Sequence, residues 1–149
     1  MYKEMSSQFS DYLSNMGLRK TEERYTILKA ICSFHGHFDI NRLAGELEKA
    51  NYRVSKATLY NTLNVLVDAG LLVRHPMTVQ SVQYELRIYA DTHLHLICTE
   101  CGSIRETRDA VFVDNIKNQR LSRFMPDYYC LYVYGLCGKC RAKSRRSSK

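Results

Sequence analysis

The stretch His93-Leu94-His95-Leu96-Ile97-Cys98-Thr99-Glu100-Cys101-Gly102 joins two kinds of metal chemistry in one run of sequence. Cys98 and Cys101 have the spacing of half a thiolate zinc knuckle, and Cys137-Gly138-Lys139-Cys140 supplies the other half. Both pairs fall at strand-to-turn transitions beside a glycine, where a tight turn aims two sulfurs at one ion, so a closed four-cysteine zinc site is expected. In a strand, residues two apart share a face. His93 and His95 therefore project to one side, with Leu94 and Leu96 on the other. Alone, such a pair reads as two half-exposed strand histidines; beside a four-cysteine site, the reading as a two-nitrogen ligand claw takes precedence.

Around this stretch, 149 residues with 45% hydrophobic content predict one domain of ordinary size or two small ones. No apolar run approaches the roughly 18 residues of a membrane span, and Met1-Tyr2-Lys3-Glu4 opens no signal peptide. A cytoplasmic protein with no membrane partner is expected, in which six reduced cysteines argue for metal rather than disulfides. The net charge of +7 is concentrated at one end. Arg141, Lys143, Arg145, Arg146 and Lys149 leave 17 of the 22 basic residues against 15 acidic ones elsewhere. Residues 141–149 read as a disordered, solvated basic tail, so charge alone does not establish a nucleic-acid partner.

Taken in order, Ser7 to Met16 predicts a short first helix ending at Gly17. Thr21 caps a second, with Glu22 and Glu23 at its positive end and Ile27, Leu28, Ile31 and Phe34 at helical spacing. Asp39 caps a third with Leu43, Ala44 and Leu47 inward, and Ser55 caps a fourth, Lys56 to Ala69, stopped by Gly70. On that fourth helix Leu59, Leu63 and Leu66 form a buried stripe, while Ala57, Tyr60, Asn61 and Asn64 lie on another face. Small and hydrogen-bonding side chains suit a surface pressed against a duplex, although a solvated face would look the same. Leu71 to Met77 and Ser81 to Leu86 read as a hairpin, which completes the order of a winged helix-turn-helix. The expected DNA contacts are Lys56, Tyr60 and Asn61 on the fourth helix and Arg74 and His75 on the wing, with Arg19, Lys20 and Arg24 on phosphates.

The predicted fold class is α+β: a winged-helix domain over residues 1–87, a hinge at 88–92, and a small α/β dimerisation and metal-binding domain at 93–140. In the second domain Ser103 to Glu106 reads as a strand, Ala110 to Phe124 as a helix and Asp127 to Tyr134 as a Tyr-rich strand. So small a domain is marginal alone, which points to metal and a second subunit as staples. Cys32 and Cys130 suit core positions better than ligand positions.

Together these residues resemble the ferric uptake regulator family of metal-dependent bacterial repressors. The resemblance is carried by Gly17-Leu18-Arg19, Arg24 with Ile27-Leu28, Ala57-Thr58-Leu59-Tyr60 with Leu63, Asp68-Ala69-Gly70, Tyr84-Glu85-Leu86, His93 to Cys98, Cys101-Gly102, Cys137 and Cys140. It implies a homodimer that binds a palindromic double-stranded DNA operator, a structural Zn(II) on the four cysteines, and a regulatory metal between the domains. The regulatory ligands it implies are His37, Glu85, His93, His95 and Glu106. This nitrogen and oxygen set suits Fe(II), Zn(II), Mn(II) or Co(II), with iron the first expectation.

Departures qualify the likeness. A further metal site of some members would need ligands where Thr92, Leu94 and Tyr129 stand, so that site is expected to be absent. Glu22-Glu23-Arg24 stands where a Pro-Arg pair is frequent, and Asn61 where Arg is frequent, which puts the operator sequence in question. Peroxide-sensing relatives tend to carry aspartates where this chain has Glu85 and Glu106, which favours metal sensing over oxidant sensing. The alternatives within the family are zinc, manganese, peroxide or haem sensing; no Cys-Pro pair recommends haem. A metalloenzyme with Glu106 as general base, or a constitutive zinc-containing DNA-binding protein, are the competing classes. No other catalytic constellation supports the enzyme.

Overall fold

The computed structural model describes residues 1–75, 82–90 and 93–147. The chain divides into two compact units, Met1–Ile88 and Tyr89–Lys149.

Unit 1 begins with four helices. Helix α1 (Tyr2–Asn15) buries Met5, Phe9 and Leu13, a four-residue repeat that extends the helix to the N-terminal side of the expected Ser7 start. Helix α2 (Glu22–Ile31) buries Ile27, Leu28 and Ile31; Thr21 stands at its N-cap but makes no side-chain cap hydrogen bond, contrary to expectation. Helix α3 (Ile40–Lys49) is capped by Asp39, whose carboxylate accepts from the Arg42 N–H at 2.8 Å. Helix α4 (Lys56–Asp68) is capped by Ser55, whose Oγ accepts from the Thr58 N–H at 3.1 Å. Its buried face is Leu59, Leu63 and Leu66 with Thr62, and Ala57, Tyr60, Asn61 and Asn64 are exposed. Gly70 at φ +69° closes α4 in the left-handed conformation that an L side chain resists, and Leu71 N–H returns to Leu66 O at 3.0 Å.

The chain then enters β1 (Leu72–His75), paired antiparallel with β2 (Gln83–Leu86) in the register Val73 with Glu85 and His75 with Gln83. Both strands are shorter than expected, and the expected strand residues at 76, 77 and 81 lie outside the described residues. An isolated bridge adds Phe38 to the far edge of β2: Phe38 N–H donates to Tyr84 O at 2.9 Å and Tyr84 N–H to Phe38 O at 2.8 Å. Phe38 stacks between Phe34 (centroids 4.7 Å) and Tyr84 (6.0 Å). This is a winged helix-turn-helix arrangement. The hinge expected at 88–92 starts inside a one-turn helix, α5 (Arg87–Ala90), whose first N–H is held by Leu71 O at 3.1 Å; residues 91 and 92 lie outside the described set.

Unit 2 is built on β3 (Leu94–Cys98), the middle of a three-stranded sheet in the order β4-β3-β5. Strand β4 (Ile104–Thr107) is antiparallel to β3, and β5 (Leu131–Gly135) is parallel to it. The crossover contains α6 (Ala110–Lys117), capped by Asp109. This helix stops well short of the expected Phe124: Asn118 ends it, Gln119 N–H turns back to Ile116 O at 3.1 Å, and Arg123 takes φ +57°. The cause is packing. Among α6 residues only Val113 is buried, so among the described residues no continuous apolar contact extends the helix toward Leu121 and Phe124, both exposed. The basic tail expected to be disordered is helical to Ser147 in α7 (Gly138–Ser147). Good helix formers, Ala142 with lysines and arginines, follow a first turn already organised at Cys137 and Cys140, with Arg141 N–H donating to Cys137 O at 2.9 Å. Among the described residues, no helix is long and apolar enough to cross a membrane.

Leu63 is fully buried while Asn64, its neighbour on α4, is exposed. Leu63→Ala is expected to lower the unfolding free energy by about 2–5 kcal/mol and Asn64→Ala by less than about 0.5 kcal/mol, measured by urea denaturation followed by circular dichroism. Equal effects would contradict the packing of α4.

Candidate metal centres and nucleic-acid interface

Parallel pairing sends the C-terminal ends of β3 and β5 to the same edge of the sheet: Cys98 is the register partner of Gly135, and Thr99 N–H donates to Gly135 O at 2.9 Å. Cys98 ends β3, Cys101 follows in a turn closed by Gly102 at φ +69°, and Cys137 and Cys140 sit at the start of α7. The four sulfurs lie within 4.8 Å of one another. The Cys101 and Cys137 sulfurs are 3.8 Å apart. That equals the edge of about 3.8 Å between two sulfurs each roughly 2.3 Å from a tetrahedral zinc ion. All six cysteines are free of disulfides, and the other two stand apart from the cluster: Cys32 is buried with its Sγ 3.7 Å from Met5 Sδ, and Cys130 is half-buried.

The thiols also share protons unequally. The Cys137 N–H donates to Cys98 Sγ at 3.3 Å and, with other backbone donors of the turn, pulls the Cys98 thiol down to about 6. The Cys140 N–H holds Cys137 below its ordinary value. Cys140 goes the other way, to about 12, chiefly through its hydrogen bond with Cys137. Two sulfurs whose thiols are lowered beside one whose thiol is raised form a donor set that Zn(II) fits, the ion replacing protons held among the sulfurs.

Nitrogen and oxygen donors occur in each unit. In unit 2, His93 and His95 are buried with their Nε2 atoms 3.1 Å apart. His95 Nδ1 lies 3.2 Å from Leu131 O, which only accepts. Its proton is therefore on Nδ1, and Nε2 is the acceptor that faces His93 Nε2. Tyr132 stacks on the same ring at 5.2 Å. Glu106 is the cross-strand partner of His95 and is exposed. In unit 1 the Phe38 and Tyr84 bridge brings their sequence neighbours together, so that His37 Nε2 lies 3.4 Å from Glu85 Oε2. Glu85 is 1% exposed.

His75 corrects the sequence reading. It is not available to DNA on the wing: it is fully buried, its Nε2 is 3.3 Å from the same Glu85 oxygen, and its ring meets that of His37 at 4.9 Å. The physical reason is strand alternation, which turns Arg74 to solvent and Val73 and His75 to the inner face. Sequence reasoning missed His75 beside Glu85, although that alternation was the signal for it.

The remaining expected DNA contacts lie within unit 1. Lys56, Tyr60 and Asn61 are exposed along α4, with Tyr60 at 47%. Arg19, Lys20 and Arg74 are exposed, and Lys20 Nζ donates to Ser10 Oγ at 2.7 Å. Arg24 is half-buried, its Nη1 donating to Arg19 O at 2.8 Å.

Comparison with known proteins agrees with the fold. The model of the ferric uptake regulator family matches residues 15–126. A ferric uptake regulation protein of Bordetella parapertussis is 31% identical over 135 residues, 87% of this chain and 94% of its own. A peroxide-responsive repressor of Staphylococcus saprophyticus is 29% identical over 133 residues, covering 88% of each chain. The manganese-containing structure of the ferric uptake regulator of Pseudomonas aeruginosa superposes with a TM-score of 0.70 at 27% identity, over 87% of this chain and 97% of that one.

Zinc competes with protons for the sulfurs, and the proton on Cys140 persists up to about pH 12 in the metal-free protein, whereas that on Cys98 is lost above about pH 6. Zinc affinity is therefore expected to keep rising between pH 7 and pH 9, with proton release on binding, and to fall more steeply below pH 6 as Cys98 also protonates. Chelator competition across this range checks it, and an affinity flat from pH 7 to pH 9 would show that Cys140 carries no proton to displace.

Proposed function

Since the chain belongs to the ferric uptake regulator family, whose members are metal-responsive transcriptional regulators, we propose that it is a dimeric repressor that binds a palindromic DNA operator when a divalent ion occupies a regulatory centre drawn from both units. The ligands are His37 and Glu85 from unit 1 and His93, His95 and Glu106 from unit 2. The observation that carries this reading is that each unit buries donor atoms 3.1–3.4 Å apart, the separation of neighbouring ligands on one ion. Fe(II) is the physiological ion of this reading, since imidazole and carboxylate suit it as well as Zn(II) or Mn(II). The cysteine cluster holds a permanent Zn(II).

The residues divide the work. His95, oriented by Leu131 O, presents Nε2, and Glu85 supplies a carboxylate from the strand next to the wing. Ligands on two units are satisfied together in one relative placement only, so the ion selects that placement, and in a dimer it sets the separation of the two α4 helices. Lys56, Tyr60 and Asn61 meet the groove, and Arg19, Lys20, Arg24 and Arg74 meet phosphates. Dimerisation through unit 2 is supported by its exposed apolar residues, among them Ile104, Val111 (72%), Phe112, Val133 and Tyr134.

Operator binding is to be titrated by gel shift, using a palindromic duplex selected from a random pool by the metal-loaded protein. Added Fe(II) or Mn(II) is expected to tighten binding about 5- to 150-fold; equal affinity with and without the ion refutes the switch. His93→Ala is expected to keep zinc and dimer but lose the metal response, whereas Cys98→Ser loses zinc and dimer together; a compact dimeric Cys98→Ser protein contradicts the structural role of the cluster. The identity to a peroxide-responsive repressor supports a second reading. Peroxide treatment of the Fe(II)-loaded protein separates the two: release from the operator under peroxide, and not under the metal-free condition alone, favours oxidant sensing.

A further inference from the structure

We propose that α7 is a second DNA-contacting element, a cationic helix that lies on the phosphate backbone without reading sequence and adds to the contacts of α4. The inference rests on the DNA-binding reading given above but concerns residues that reading leaves unused.

The charge of the protein is gathered there. Lys139, Arg141, Lys143, Arg145, Arg146 and Lys149 leave 16 of the 22 basic residues against 15 acidic ones in the rest of the chain, and no acid follows Asp127. Unit 1, which carries α4 and the wing, has 11 basic residues against 9 acidic ones, a small excess for a surface that meets a lattice of phosphates. On α4 itself Lys56 is the one cation and Asp68 the one acid. In α7 five cations fall within ten residues. A helix of ten residues is about 15 Å long, which gives one cation per roughly 3 Å; each strand of a duplex presents one phosphate per about 3.4 Å of axis. Lys139 and residues 141–145 are exposed, whereas Cys140 is buried.

Helix stability does not account for these side chains. Lys139 and Arg141 stand at the start of α7, the positive end of the helix dipole, where cations are disfavoured and where the helix has no acid. Lys139 with Lys143 and Arg141 with Arg145 are like charges at i, i+4, an unfavourable spacing. A polyanion laid along the helix relieves both. The base of the helix is fixed rather than trailing: Cys137 and Cys140 belong to the four-sulfur cluster, and Arg141 N–H donates to Cys137 O at 2.9 Å. The cations are therefore presented from an ordered first turn, which lowers the entropy that a free basic tail would lose on binding. The winged helix-turn-helix of unit 1 makes duplex DNA the polyanion at hand.

The test is fluorescence anisotropy of full-length, zinc-loaded protein with a random-sequence duplex across a salt series. Arg141→Gln/Lys143→Gln/Arg145→Gln keeps good helix formers and is expected to weaken binding at least about tenfold and to reduce the slope of log affinity against log salt by about 2–3, the counterions of three phosphates. Arg141→Lys/Arg145→Lys is expected to keep the parental slope, since a lysine meets a phosphate as a point charge. Lys117→Gln/Arg120→Gln/Arg123→Gln removes the same charge from exposed positions outside α7 and is expected to leave the slope near the parental value. Because phosphate contacts carry no sequence information, loss of the α7 cations lowers affinity for the selected operator and for the random duplex alike, and their ratio stays constant. A parental slope in the α7 triple variant overturns the proposal, as does an equal loss in the two triple variants, which is an effect of net charge alone. Vesicles of phosphatidylcholine and phosphatidylglycerol supply the competing surface: an α7 variant that loses vesicle binding but keeps the DNA slope assigns the helix to membranes and also overturns the proposal. The operator reading fails separately. A parent protein with no preference for operator over random duplex removes the role of α4, while the slope still judges α7.

Discussion

Unit 2 depends on one pairing, the parallel alignment of β3 with β5. A parallel neighbour brings both strand ends to the same edge of the sheet, so the chain leaving Gly135 meets the chain leaving Cys98 and four sulfurs converge. An antiparallel partner would have carried Cys137 to the opposite end. The same register sets Tyr132 against His95 and points His95 Nδ1 at Leu131 O. One strand thus organises a cysteine cluster at its end and a buried imidazole near its start. The rest of the unit leaves much apolar surface exposed, and a structural zinc on a cluster of this kind contributes apparent binding free energy on the order of 10–16 kcal/mol.

In unit 1 the corresponding constraint is smaller: two hydrogen bonds between Phe38 and Tyr84. They convert the loop after α2 into an extra edge of the wing hairpin and are braced by the stacked rings of Phe34, Phe38 and Tyr84. The residues beside the bridge, His37 and Glu85, come into contact for that reason, and His75 joins them by strand alternation. Burying a carboxylate costs stability unless its charge is compensated. The cluster lies toward the loop end of the hairpin, where His75 pairs with Gln83.

Much of this was legible in the residues. Asp39 and Ser55 cap the helices assigned to them, the stripe of Leu59, Leu63 and Leu66 is buried, and the paired Cys-x-x-Cys spacings name the sulfur cluster, because caps, periodicity and ligand spacing are local properties. Where a boundary depends on packing, the reading failed. Helix α6 ends at Lys117, short of Leu121 and Phe124, which stay exposed, and α7 extends through residues whose composition reads as solvated tail.

The sequence by itself determined the order of four helices and a hairpin, the four cysteines that cluster, and the family resemblance that implied the nitrogen and oxygen donors. Only the tertiary structure decided which neighbour β3 takes in parallel, which ring nitrogen of His95 faces Leu131 O, and that His75 faces Glu85 rather than solvent. The division has a physical cause. Capping, amphipathic period and knuckle spacing act within a few residues, whereas register between distant segments is set by side chains that meet only after the chain has folded.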